Sequence, residues 1–171
     1  MNHIKEHHIV FALIILAALA RGLPHPDNIT PIGALALFSG AYLDKRVFWL
    51  VPLGALFLGD LANGLYNTIV LIAVYVGFLA STMVGRGVLR HRDRPARIVL
   101  GVGLGALTFW VVSNFGSWLV FRPLTVEGFV ACYVEGLPYL GRSLVGDGFY
   151  ALILFGTYHA LRTQMTQRWA H

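Results

Sequence analysis

Charged residues are scarce in this chain. They make up 12% of its 171 residues, whereas 57% are hydrophobic; soluble domains usually hold about 25% charged and about 45–50% apolar residues. This composition predicts an integral membrane protein. Because one helix needs roughly 20 residues to cross the hydrocarbon core, six crossings would use the available length and leave no room for a soluble catalytic domain.

Sequence motifs of several enzyme classes are also missing. The chain has no H-E-x-x-H, no G-x-S-x-G and no Walker motif. The run G-V-G-L-G at 101–105 lies inside a long apolar stretch with no strand before it, so it predicts helix packing rather than dinucleotide binding. We therefore expect a protein that is not an enzyme and that holds neither a cofactor nor a metal.

A single cysteine, Cys132, excludes a disulfide within the chain. It also leaves one soft metal ligand to consider, although a lone cysteine more often behaves as a small apolar residue. The other candidate metal ligands are the N-terminal histidines His3, His7 and His8, which stay a weaker alternative.

Apolar stretches divide the chain into six predicted spans. They cover residues 9–23, 29–43, 47–66, 67–88, 98–121 and 143–161. The first stretch could instead be a secretory signal that ends in small residues at 18–20, but we expect it to be retained because the bundle needs it. The predicted fold is an all-α membrane protein with six transmembrane helices in one domain.

The segment 124–141 differs from the spans around it. Its apolar residues recur at helical spacing on one face, while Glu127 and Glu135 share another face. Such a pattern is typical of a helix that lies at a membrane surface. We predict an extra amphipathic helix on the outer side, between the fifth and sixth spans.

The distribution of basic residues predicts the orientation. With both termini inside, ten of the 13 Lys and Arg residues lie on the cytoplasmic side, and only Arg21, Arg122 and Arg142 lie outside. The expected location is the inner membrane of a bacterium, with several crossings and cytoplasmic termini. The net charge of +5 then predicts contact with lipid rather than with nucleic acid.

Polar side chains are predicted to meet near the outer surface. Asp60 lies 14 residues beyond Arg46, which is about 21 Å along a helix. A carboxylate inside an apolar helix costs about 2.5–3.5 kcal/mol and therefore usually faces protein or water. Asn114 and Asp147 are expected to reach the same depth on two other helices.

We therefore predict an outward-facing solute site with a floor, a closing loop and a rim. The floor is Asp60, Asn63, Asn114 and Asp147; the loop is Arg21, His25, Asp27 and Asn28; and the rim is Glu127, Glu135 and Arg142. The mixed charges favour a zwitterionic or polar solute, or a cation. Three alternatives stay open: hydrogen bonding that only joins helices, a membrane enzyme or metal-handling protein that uses the carboxylates, and a structural subunit.

Several sequence runs carry a resemblance to a known group. They are P-H-P-D-N at 24–28, T-P-I-G-A-L-A-L-F-S-G-A-Y-L at 30–43, P-L-G-A-L-F-L-G-D-L at 52–61, S-N-F-G-S-W at 113–118 and L-V-G-D-G at 144–148. In these runs the chain resembles an uncharacterised family of small six-helix bacterial membrane proteins to which a transport role is ascribed.

In size, helix number and glycine- and alanine-rich helices, the chain is also similar to the S-components of energy-coupling-factor (ECF) transporters. That resemblance implies uptake of a vitamin, a precursor or a metal chelate from a site closed by the loop after the first helix. It further implies a transmembrane coupling subunit and two ATPases as partners. The A-x-x-x-A docking pattern is only approximated, by Ala18 and Gly22, because Ala12 is followed at i+4 by Leu16 and Ala17 by Arg21. This departure leaves room for a solitary transporter. Cobalamin is a weak candidate, because solitary relatives that take it up use a cysteine elsewhere in the chain.

Overall fold

The computed structural model describes residues 2–20, 29–90 and 93–167. This part of the chain forms helices and contains no strand, which confirms the predicted all-α class. The helices are α1 (Asn2–Ala20), α2 (Ile32–Tyr42), α3 (Leu50–Asn63), α4 (Thr68–Leu89), α5 (Pro95–Phe121) and α6 (Val126–Gln167).

Three of these helices, α4, α5 and α6, are long and apolar enough to cross a membrane. Large apolar side chains on them face outward; Val99 on α5 and Leu152 on α6 are each 73% exposed, as suits contact with lipid. The apolar parts of α1, α2 and α3 are shorter, at His8–Ala17, Ile32–Tyr42 and Leu50–Ala62. With its 11 residues, α2 is only about 17 Å long, roughly half of a hydrocarbon core of about 30 Å.

The junction between α3 and α4 explains why α3 is shorter than its predicted span of 47–66. Gly64 follows α3 with a φ of 93°, a backbone conformation that glycine adopts without the steric cost of a Cβ. The Asn67 side chain then accepts hydrogen bonds from the backbone N–H groups of Ile69 (3.0 Å) and Val70 (3.4 Å). Asn67 is thus the N-cap of α4.

Helix α2 is the centre of the fold. Its residues 32–41 are all buried, and it packs against each of the other five helices. Small residues let it approach α4 closely: a Cβ on Gly85 would lie 2.6 Å from the Leu37 carbonyl oxygen, and one on Gly40 would overlap the Thr82 carbonyl. Such close approach drives helix packing where lipid removes the hydrophobic incentive.

Aromatic side chains join α2 to α6. The Phe38 ring meets the rings of Phe155 and Tyr158 edge-on, with centroids 5.2 and 5.9 Å apart. The ring of Tyr42, one turn beyond Phe38, lies 4.2 Å from that of Tyr158. Edge-to-face contacts of this kind add about 0.5–1.5 kcal/mol per pair beyond area burial, so they fix α6 against the central helix.

The prediction of a separate amphipathic helix between the fifth and sixth spans is wrong. Residues 126–167 form one continuous helix of 42 residues that contains Pro138. The prediction rests on the amphipathic pattern of 124–141, which differs from the apolar run that follows. However, Gly141 keeps the helical conformation and does not adopt the positive φ that commonly ends a helix. The first half of α6 instead packs against the second half of α5.

Candidate functional site

A cavity of about 310 Å³ lies between α4, α5 and α6, near the turn at 122–125 that joins the last two helices. We call it the turn cavity. Its wall is mixed in character, with charged, hydroxyl, amide, thiol and aromatic groups. The lining residues are Val74, Phe109, Ser113, Asn114, Ser117, Phe121, Arg122, Cys132, Glu135, Gly136 and Tyr139.

An ion pair supplies the charges of the turn cavity. The Arg122 guanidinium, just after α5, contacts the Glu135 carboxylate on α6. Their side chains are 39% and 56% exposed, so both charges stay accessible to a solute. Glu135 belongs to the predicted rim. Arg122 was not assigned to the site, because 13 residues of sequence separate it from Glu135 and only the α5–α6 turn brings them together.

Asn114 forms part of the cavity wall where α5 meets α6. Its amide nitrogen donates to the Trp110 carbonyl at 2.8 Å. A Cβ on Gly136 would overlap the Asn114 amide oxygen, which shows how closely α6 passes. The Cys132 Sγ lies 3.5 Å from the Asn114 carbonyl oxygen, and the Tyr133 hydroxyl donates to the Val111 carbonyl at 2.7 Å. These contacts hold the wall of the cavity in place.

Asp147 has a different environment. It is 8% exposed, and its carboxyl group lies near the backbone N–H of Ala34 in the first turn of α2. A Cβ on Gly33 would overlap this carboxyl group, so the carboxyl lies directly against the start of α2. The first N–H groups of a helix have no partner within the helix, and a negative group there is favoured by the helix dipole. The Asp147 carboxyl group is therefore placed to cap α2 from another helix.

Asp60 is 5% exposed on α3. Within the described residues, α3 packs against α1, α2 and α4 but has no close backbone contact with α5 or α6. Asp60 is not among the residues that line the turn cavity. Asn63, the other floor residue of this helix, is the last residue of α3.

The remaining predicted site residues lie in several places. Arg21, His25, Asp27 and Asn28 lie outside the described residues. Glu127 is exposed in the first turn of α6. Arg142 is exposed, and its guanidinium carbon lies 5.4 Å from the centre of the Tyr139 ring. Of the predicted set, the structure places Asn114 and Glu135 together in one cavity.

A polar cluster at the opposite end of the bundle was not predicted. The Tyr42 hydroxyl at the end of α2 donates to the Asp93 carboxylate, and the His159 Nε2 on α6 lies 3.4 Å from the same carboxylate. The Arg86 side chain donates to the Leu43 carbonyl at 3.4 Å. Asp93 is the lone acid within the basic run 86–97, which is the sequence signal that could have revealed the cluster.

The chemistry available at the turn cavity is recognition by opposite charges. Arg122 can receive a carboxylate or phosphate and Glu135 an ammonium group, with hydroxyl groups and rings beside them. Among the described residues, no group of three or more His, Cys, Asp or Glu side chains is placed to hold a metal ion.

Comparison with known proteins gives one match. No curated protein and no solved structure shows a significant similarity to the chain. The model of one protein family matches residues 2–168, almost the whole length. The chain therefore belongs to a family of unknown function, DUF6580.

Proposed function

We propose that this chain is a membrane transport protein that binds a small polar solute in the turn cavity and passes it inward. The observation that carries the proposal is the Arg122–Glu135 pair in the wall of a cavity of about 310 Å³. That volume is at the lower end of the range for small-molecule sites, about 300–1,000 Å³. The solute is therefore small.

The paired charges favour a zwitterionic solute. The carboxylate of such a solute would bind Arg122, and its ammonium group would bind Glu135. Two charge-assisted contacts would then replace the single Arg122–Glu135 ion pair. Tyr139 and Phe121 offer apolar surface to the rest of the molecule. An amino-acid-like vitamin precursor meets these demands, and a metal chelate that carries both charges would also fit.

The proposed topology has six crossings and cytoplasmic termini in a bacterial inner membrane. The α5–α6 turn then faces outward, and the basic run 86–97 faces the cytoplasm, as the positive-inside rule requires. A test replaces the single cysteine with Cys132→Ser and then adds either Val126→Cys or Thr163→Cys. A maleimide that cannot cross the membrane should label the first variant in intact cells and the second one only after the cells are opened. Labelling in the opposite order would reverse the proposed orientation.

Two routes for uptake agree with this site. In the first, the chain delivers its solute through a transmembrane coupling subunit with two ATPases, as S-components do. In the second, it transports alone. Affinity purification under mild detergent separates them, because the first route predicts that both ATPases are recovered with the chain.

The alternative of a membrane enzyme or metal-handling protein requires Asp60 and Asp147 to act together. Two observations favour the transport proposal over it. The Asp147 carboxyl group lies against the start of α2, and the described parts of α3 and α6 have no close backbone contact. A metal found in stoichiometric amount in the purified protein, and lost on Asp60→Asn, would favour the alternative.

The experiment that tests the proposal is mass spectrometry of small molecules that co-purify with the protein. The wild type is compared with Glu135→Gln, which removes the charge and keeps the shape. Asp44→Asn is the matched control, because Asp44 is exposed in the connection between α2 and α3. We expect a metabolite that is present in the wild type and the control and absent in Glu135→Gln. Equal recovery from all three proteins would overturn the proposal.

A further inference from the structure

A second, larger hollow lies between the first part of α5 and the second half of α6. Its volume is about 640 Å³, and we call it the α5–α6 groove. Its walls are apolar, with Ile98 and Val102 on one side and Leu144 and Phe155 on the other. It is distinct from the turn cavity, because the two share no lining residue.

Glycines create the hollow. A Cβ on Gly103, Gly148 or Gly156 would meet no atom within 4 Å, so each of these positions faces open space. The lining residues Val99 and Leu152 are each 73% exposed. The groove is therefore open to the surroundings of the bundle, which for this part of α5 and α6 is lipid.

The two walls of the groove have lengths on either side of the thickness of one leaflet of a bilayer. From Pro95 to Gly103 it extends about 12 Å along α5, and from His159 to Leu144 about 22 Å along α6. Half of a hydrocarbon core of about 30 Å is about 15 Å. The groove thus has the depth of a single acyl chain that starts at one membrane surface.

One end of the groove is basic. Arg94 is exposed beside the lining residue Pro95, and Arg162 is exposed one turn beyond the lining residue His159. The acid at this end, Asp93, is engaged by the Tyr42 hydroxyl and lies 3.4 Å from His159 Nε2. The groove therefore combines apolar walls with positive charge at the membrane surface.

We propose that the α5–α6 groove binds one acyl chain of an anionic phospholipid, with the lipid phosphate beside Arg94. The apolar walls complement the chain, and the basic end complements the headgroup. Each basic residue near a membrane surface strengthens contact with anionic lipid by about fivefold, the equivalent of about 1 kcal/mol. The site does not depend on the solute proposed for the turn cavity.

Native mass spectrometry of the delipidated protein tests this assignment. The protein is offered phosphatidylglycerol and phosphatidylcholine with identical acyl chains, in equal amounts. The wild type is expected to retain one phosphatidylglycerol in preference. Arg94→Gln should reduce that preference by about fivefold while total lipid binding persists, and Gly148→Leu should remove both lipids by filling the groove.

Two matched variants serve as controls. Gly87→Leu also places a side chain in open space, on α4 and outside the groove, and Arg46→Gln removes an exposed charge from the α2–α3 connection. Both should bind lipid as the wild type does. If Gly148→Leu does not fold, Gly103→Leu fills the same groove from α5.

Three results would overturn the proposal. The first is equal retention of the two lipids by the wild type. The second is unchanged lipid retention in a folded groove-filling variant. The third is a dimer that Gly148→Leu converts to a monomer without a change in lipid, which would assign the groove to a second copy of the chain.

Discussion

Glu135 and Asp147 lie 12 residues apart on the same helix, yet their surroundings are opposite. The Glu135 side chain is 56% exposed and meets Arg122 at the edge of a cavity. Asp147 is 8% exposed and fills the space at the start of α2. The comparison shows that an acid on an apolar helix is not in itself a ligand site. Beside a helix end the acid is buried, whereas beside a hollow it stays exposed.

The largest expected effect comes from Asp147→Ala. It removes the carboxyl group that lies against the buried start of α2, and a buried N–H group left without an acceptor costs about 1–3 kcal/mol of unfolding free energy. Denaturant titration of the protein in detergent measures the change. Asp147→Asn keeps a side-chain oxygen and should lose less than half as much. An Asp147→Ala protein as stable as the wild type would show that the cap is unimportant.

Gly33→Ala should have the next largest effect on stability, because its Cβ would displace the Asp147 carboxyl group from the start of α2. We expect a loss of about 1–3 kcal/mol, as for other overpacked sites. The cost should shrink by at least about 0.5 kcal/mol when Asp147→Ala is already present, because the two residues act on one contact. Gly54→Ala is the control, since a Cβ there meets open space. If the losses of unfolding free energy for Gly33→Ala and Asp147→Ala were strictly additive, they would contradict a contact between the two residues.

Glu135→Gln should change stability much less. Exposed ion pairs contribute about 0.2–1 kcal/mol, and both partners here are substantially exposed. Thermal unfolding is expected to stay close to that of the wild type, while the co-purifying solute is lost. A large loss of stability would mean that Glu135, like Asp147, has a structural role, and the contrast between the two acids would disappear.

The smallest effect on stability is expected from exchanging the charges, with Arg122→Glu and Glu135→Arg combined. The ion pair is restored with its charges reversed. The free energy of unfolding should therefore differ from that of the wild type by no more than about 0.5 kcal/mol, as for most surface changes. Solute retention should not return, because the charge that would bind each end of a zwitterion now lies on the opposite side of the pair. Recovery of the solute in the exchanged protein would show that the pair only supports the wall.

Much of the fold follows from local sequence. Apolar runs predict the helices, and the Gly and Ala residues of α2 predict close packing, which Gly40 and Gly85 confirm. The length of α6 could not be predicted from local sequence. The sequence changes from polar to apolar near Gly141, but a helix can pass between two environments without a break, and nothing local forces one there.

The candidate site was less accessible to sequence reasoning. Asn114 could be selected as a polar group near the outer end of an apolar run, and Glu135 because it shares a helix face with Glu127 in the segment 124–141. Arg122 could not be paired with Glu135, since the turn at 122–125 determines which side chains face each other. The role of Asp147 depends on where α2 begins, and that start lies more than 100 residues earlier in the chain.

The most direct measurement is the dissociation constant of the co-purified solute, determined in parallel for Glu135→Gln and Asp147→Asn. A charge-assisted contact contributes about 1.5–3 kcal/mol, so Glu135→Gln should raise the Kd by tenfold or more at about 1.4 kcal/mol per decade. Folded Asp147→Asn should bind within about threefold of the wild type, a difference of less than about 1 kcal/mol. A weaker Kd in Asp147→Asn together with an unchanged Kd in Glu135→Gln would contradict the account and place the solute at the start of α2.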